Sequence, residues 1–163
     1  MKTSQQVFEN AQSLLANTEI IKLFTNLGEV HIIGSCAANL MWDPDIDVIV
    51  LTDDPQKSAL KAMNDLAKKE KFQKLEFGDF KNHPMKDGPK SFVVNARKEW
   101  MGEEWEIETW FVRELGEALD VLEKLKNFSD SDRAAIIEKK KQRSLSGRSK
   151  HDLSSWEIYQ DYM

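Results

Sequence analysis

Asp45-Ile46-Asp47 runs directly into Val48-Ile49-Val50-Leu51, so an apolar strand carries two carboxylates at its mouth. Side chains on a strand alternate, and residues 45 and 47 therefore project the same way. Like charges a few ångströms apart repel, which makes the pair costly unless a cation sits between them. A bound Mg²⁺ turns that repulsion into ligation by hard oxygen donors. Asp53-Asp54-Pro55 follows at once and starts a helix, with the proline in its first turn. The spacing of Leu60, Met63, Leu66 and Ala67 gives that helix a buried stripe and carries it to about Lys71.

The rest of the chain keeps this alternation of strand and helix. Phe8, Ala11, Leu14 and Leu15 have helical spacing, and Thr18 is placed to cap a second helix from Glu19 to about Leu27, halted by Gly28. A short strand over 30–33 leads into Gly34-Ser35, which opens a short helix, Cys36 to Met41, ended by Pro44. Further strands are predicted at 45–52, near 72–78, and at 90–98 and 105–112, the last two as a hairpin around Met101-Gly102-Glu103-Glu104. A polar loop with His83-Pro84 and Asp87-Gly88-Pro89 interrupts regular structure between them. Helices at about 114–126, 130–145 and 152–162 finish the chain. The expectation is an α/β (α+β) fold over residues 1–163: one domain with a β-sheet flanked by helices and a helical extension from about 114. A chain of 163 residues buries enough surface for one adequate core.

Gly34-Ser35 supplies a complement to the two aspartates. A helix start offers unpaired N–H groups and the positive end of a dipole, which suit a phosphate, and glycine lets the backbone come close. The expected arrangement puts this cradle and the carboxylates on neighbouring strands at their carboxyl ends, as in open α/β sheets. Such a site suits a nucleoside triphosphate. On the strand at 105–112, Glu106, Glu108 and Trp110 share one face and Trp105, Ile107, Thr109 and Phe111 the other. Either glutamate can join the aspartates. Trp100, Trp105 and Trp110 read as core or cross-strand pairs rather than as stacking platforms for a base.

Composition narrows the alternatives. With 40% apolar and 31% charged residues the chain reads as a soluble globular domain, and no run approaches the roughly 20 apolar residues of a membrane span. The amino terminus lacks the apolar core of a signal peptide. Cys36 is the only cysteine, which rules out an internal disulfide and fits a reducing cytoplasm. Without a base beside it in the sequence, Cys36 reads as a small buried residue rather than a nucleophile. His31, His83 and His151 show no metal-ligand spacing, which argues against zinc.

Charge is uneven. Residues 1–123 hold 14 Lys and Arg against 22 Asp and Glu, whereas residues 124–150 hold 9 against 3. Lys139-Lys140-Lys141 reads as a solvated helix face. Arg148 and Lys150, in a loop with Gly147 and serines, are better placed to reach a triphosphate. The acidic first part argues against broad nucleic-acid binding, which needs a basic face.

Gly34-Ser35, the spacer, and Asp45-Ile46-Asp47 resemble the signature of the nucleotidyltransferase superfamily that includes DNA polymerase β and the antibiotic adenylyltransferases. In small stand-alone members the third part reads Trp-x-Ile-Asp-x-Trp, and this chain has Trp105-Glu106-Ile107-Glu108-Thr109-Trp110. Leu153-Ser154-Ser155-Trp156-Glu157-Ile158-Tyr159 looks like their terminal helix, so the resemblance spans most of residues 20 to 160. It departs at Glu108, where aspartate is usual, and the extra methylene reshapes the site. The resemblance selects Glu108 over Glu106. It implies a nucleotidyltransferase-like mixed sheet in which Asp45, Asp47 and Glu108 are catalytic and hold two Mg²⁺ ions. Gly34 and Ser35 would hold the β,γ-phosphates of ATP or another nucleoside triphosphate. The acceptor hydroxyl attacks the α-phosphorus, Glu108 takes its proton, and pyrophosphate leaves. Transfer of AMP from ATP is the commonest case. A small molecule or a protein hydroxyl suits the charge balance better than nucleic acid as acceptor. The rival expectation is a catalytically silent nucleotide-binding or interaction module on the same fold. A toxin that modifies a partner's protein or RNA would share the chemistry.

Overall fold

The computed structural model describes residues 2–84, 89–148 and 152–163. Their strands are β1 (Glu29–Ile33), β2 (Asp45–Leu51), β3 (Lys74–Asp79), β4 (Phe92–Trp100) and β5 (Glu103–Val112). They form one sheet in the order β1-β2-β5-β4-β3. β2 and β5 are parallel, and the other neighbours are antiparallel. The interior position of β2 and β5 is what their apolar residues require. Ile46, Val48, Val50, Trp105, Ile107 and Phe111 are all at most 1% exposed.

Three helices cover that face: α1 (Ser4–Asn17), α2 (Ile20–Thr25) and α4 (Pro55–Lys69). Asp54 caps α4 by accepting the N–H of Lys57, with Pro55 in the first turn. Its buried side is Pro55, Ala59, Ala62 and Leu66, whereas the expected Leu60 is 50% exposed. Small alanines let the helix lie close to the sheet, and that approach decides which side turns inward. Thr18 does not cap α2; its hydroxyl donates to the Leu14 carbonyl at 2.8 Å and closes α1 instead. The β4–β5 hairpin turns on Met101 and Gly102 alone, both at positive φ (52° and 77°), so the strands reach further than expected.

The remaining helices are α3 (Gly34–Ala38), α5 (Ala118–Lys126), α6 (Asp130–Leu145) and α7 (Ser155–Gln160). The last three gather around α3 in a second core of Ala38, Leu40, Leu122, Leu125, Ile136 and Ile158. α3 is shorter than the helix expected to Met41, because Asn39 takes the left-handed conformation at φ 52°. Among the described residues no helix is long and apolar enough to cross a membrane.

One expectation about direction is corrected. β1 runs antiparallel to β2, with Ile33 opposite Asp47. The bend after β1 therefore meets the start of β2, not its carboxyl end.

Candidate active site

Pairing of β2 with β5 sets the acidic residues side by side. Asp45 lies opposite Glu106 and Asp47 opposite Glu108, all on the sheet face away from the main core. Asp45, Asp47 and Glu108 line a cavity of about 530 Å³ together with Gly34 and Ser35, whereas Glu106 does not line it. The five residues expected from sequence at motif positions thus come to one place. Lys150 lies outside the described residues. Arg148 is exposed beyond the end of α6 and does not line this cavity.

The glycine bend has a steric reason. Gly34 has φ +62°, and a Cβ there would sit 2.4 Å from the Oδ2 of Asp47. Only glycine lets that carboxylate lie against the bend. The next two residues face inward. Cys36 is 1% exposed, and its thiol is pushed up to about 12, first by burial and then by the charges of Asp47 and Asp45. It is an inert core residue.

Ser35 does not open onto the cavity as a free hydroxyl. It is bonded to the Tyr159 hydroxyl at 2.8 Å and accepts from Lys140 Nζ at 2.8 Å. Lys140 also donates to the Leu40 carbonyl at 2.9 Å and to Tyr159 at 2.8 Å, with its ammonium 4.9 Å from the centre of the Tyr159 ring. The side chain is 1% exposed, and among the described residues it makes no ion pair. This corrects the reading of the lysine triplet as solvated. Lys139 and Lys141 do pair with Asp161 and Glu138 near the surface, but Lys140 between them points inward. Two arginines of α6 behave like Lys140. Arg133 donates to the Ala38 carbonyl, and Arg143 bonds Asp43 and the Leu153 carbonyl. The basic helix therefore laces the segment from residue 35 to 43 into place.

Across the cavity, Glu108 Oε1 accepts the indole N–H of Trp110 at 2.7 Å. Trp156, 45% exposed, lines the same cavity. A second cavity of about 1100 Å³ lies on the other side of Asp47 and Glu108, which border both. Its rim holds Lys81, Lys90 and Arg113 beside Asp54, Glu114 and Glu117. Three carboxylates are a suitable oxygen donor set for a hard cation. As they stand, no three His, Cys, Asp or Glu side chains among the described residues are gathered closely enough to hold a metal ion.

No protein-family model matches the chain, and no curated protein matches its sequence. Solved structures do match. Cid1, described as having RNA terminal uridylyl transferase activity, aligns with a TM-score of 0.62 at 16% identity over 84% of this chain and 40% of that one. A cytoplasmic RNA terminal U-transferase gives 0.53 at 16% identity over 83% and 38%. The GLD-2/RNP-8 complex gives 0.52 at 15% identity over 92% and 52%. The fold is nucleotidyltransferase-like. At such identity the likeness is one of fold, and the chain spans only about two fifths to half of those chains. Within this nucleotidyltransferase-like fold, Lys140, Tyr159 and Trp156 were named in sequence as parts of a lysine run and a terminal helix but were not marked as site residues. A signal existed for Lys140, because Arg133, Ile136, Lys140 and Arg143 recur at intervals of three and four and so share one face with a core isoleucine.

Proposed function

We propose that this protein is a metal-dependent nucleotidyltransferase that moves a nucleoside monophosphate, AMP from ATP in the first instance, to a hydroxyl acceptor with release of pyrophosphate. One observation carries the reading. Lys140 is a fully buried ammonium whose partners, among the described residues, are two hydroxyls, a carbonyl and a ring, and it bonds the hydroxyl of Ser35, a residue that lines the cavity with the carboxylates. A buried cation with neutral partners alone is costly, and an anion at that cavity relieves it. A phosphate chain is the anion that the neighbouring carboxylates could engage through a metal.

The residues then take these roles. Backbone N–H groups at Gly34 and Ser35, with Lys140 behind them, hold the β,γ-phosphates. Trp156 offers an aromatic face at the cavity mouth for the base. Mg²⁺ held by Asp45, Asp47 and Glu108, two ions in the full arrangement, would neutralise charge on the triphosphate and the leaving pyrophosphate. A carboxylate oxygen of Glu108 accepts the proton of the acceptor hydroxyl, which approaches from the larger cavity. That cavity's rim mixes both signs of charge and is not the basic track a nucleic-acid strand needs, so a small molecule or protein hydroxyl is favoured. The single buried thiol suits a reducing cytoplasm.

A second reading, a nucleotide-binding module without turnover, is favoured by two features. Glutamate replaces the usual aspartate at 108, and the three carboxylates are not gathered as they stand. Incubation of the protein with labelled ATP, Mg²⁺ and a panel of hydroxylated metabolites distinguishes the two. Pyrophosphate release that disappears in Asp47→Asn, with an unchanged melting temperature, supports transfer. Tight ATP binding without pyrophosphate supports the module, and full activity in Asp47→Asn refutes the assignment.

A further inference from the structure

Ser35 is bonded on two sides, yet a count of hydrogens shows that it still has a proton to give. Lys140 carries three N–H donors and directs them to the Ser35 hydroxyl, the Leu40 carbonyl and the Tyr159 hydroxyl, at 2.8, 2.9 and 2.8 Å. An ammonium accepts nothing in return. The two hydroxyls share one further bond of 2.8 Å, which takes up one of their two protons. One O–H is left over, and among the described residues no acceptor receives it.

Acidity decides which hydroxyl keeps that proton. A phenol is a much stronger acid than an alcohol and so the better donor, while the alcohol oxygen is the better acceptor; Tyr159 therefore donates to Ser35. The serine oxygen then accepts from Lys140 and from Tyr159, which fills both of its lone pairs. Its own proton is left with the remaining tetrahedral direction. All three residues are at most 5% exposed, but Ser35 lines the 530 Å³ cavity beside the carboxylates, whereas Lys140 does not. The charge of Lys140 thus reaches the cavity through a hydroxyl.

Building on the nucleotidyl-transfer reading above, we propose that Tyr159 is a positioning residue: with Lys140 it fills the lone pairs of Ser35 and turns the serine proton toward a phosphate oxygen in the cavity. A hydroxyl that accepts from an ammonium and a phenol at once is polarised toward giving its own proton, and an anionic oxygen is the acceptor that gains most from it. The Tyr159 hydroxyl has no bond besides those to Ser35 and Lys140 among the described residues, so its influence on the cavity runs through the serine.

A double-mutant cycle on the full chain tests this, with inorganic tripolyphosphate as the probe in calorimetric titrations. Ser35→Ala removes the proton itself and is expected to weaken binding about tenfold or more. Tyr159→Phe keeps the ring over Lys140 and removes only the hydroxyl; the serine is then free to turn, and binding should fall about fivefold. In Ser35→Ala the same change should alter binding by less than about twofold, because nothing is left to orient. Equal losses in the two backgrounds, no loss from Tyr159→Phe in either, or no binding of tripolyphosphate by the unsubstituted protein overturns the proposal. Adenosine, titrated by NMR, separates positioning from damage. It lacks phosphates, and its affinity should stay within about twofold in Tyr159→Phe. A parallel loss for adenosine would mark a disturbed α7, which also carries Trp156, and would overturn the proposal as well. Tripolyphosphate binding with the expected coupling, but no pyrophosphate release from ATP, would sink nucleotidyl transfer and leave the role of Tyr159 standing.

Discussion

Lys140→Met separates a phosphate-binding ammonium from a packing element. Methionine keeps an unbranched stem of similar length and removes the charge. In folding, the change gives up bonds to Ser35, Leu40 and Tyr159. Each bond to a charged group is worth about 1.5–3 kcal/mol. Against this, the native chain no longer has to strip water from a side chain that is 1% exposed, a penalty of several kcal/mol for an ion. The two nearly cancel, and stability should change by no more than about 2 kcal/mol in either direction. Ligand binding has no such cancellation. An ammonium and a phosphate about 4 Å apart at an effective dielectric of about 20 attract by about 4 kcal/mol, roughly a thousandfold in affinity. Because the ammonium must relax part of its existing contacts, the expected loss for ATP is about a hundredfold. Calorimetric titration with ATP, with and without Mg²⁺, alongside thermal melting, measures both quantities. ATP affinity within about threefold of the unsubstituted protein would refute the reasoning and leave Lys140 as packing alone.

Two further outcomes follow from the bend. Gly34→Ala should lower stability by about 1–2 kcal/mol for the left-handed backbone, and it should also displace Asp47, whose Oδ2 lies 2.4 Å from the added carbon; melting and Mn²⁺ titration read the two effects separately. The thiol of Cys36 ionises near 9.0 when ordinary but only at about 12 in the fold, so native stability should fall as pH rises from 9.0 toward 12, where the unfolded chain alone releases the proton. A thiol reagent at pH 8 should accordingly label Cys36 only after denaturation.

Much of the site was legible from local pattern. Asp45 and Asp47 announce themselves because a strand's period of two fixes their direction whatever surrounds them. Glu108 was harder: alternation puts Glu106 on the same face, periodicity alone could not choose between them, and the choice of residue 108 came from the resemblance; in the fold Glu108 lines the cavity and Glu106 does not. Register and strand direction are tertiary facts, which is also why the antiparallel run of β1 was missed. Lys140 was misread for a different reason. A run of three lysines looks uniformly solvated, although neighbours on a helix point about 100° apart, and only the middle one shares the side of Ile136. Leu60 failed in the same way, since the sheet selected the alanine side of α4. Trp110 was read as packing, which it is, but its nitrogen also faces a carboxylate.

The lacing of α6 onto the segment after β1 bears on how the protein is made. A ribosome-borne chain that has emerged only through Val112 already contains both aspartates, Glu108 and every strand of the sheet. Yet Ser35 at that moment lacks Lys140 and Tyr159, the two groups that fix its hydroxyl. The acidic residues of the candidate site are therefore encoded early and the partners of Ser35 late, so a nascent chain fixes that hydroxyl only once its final helices have docked.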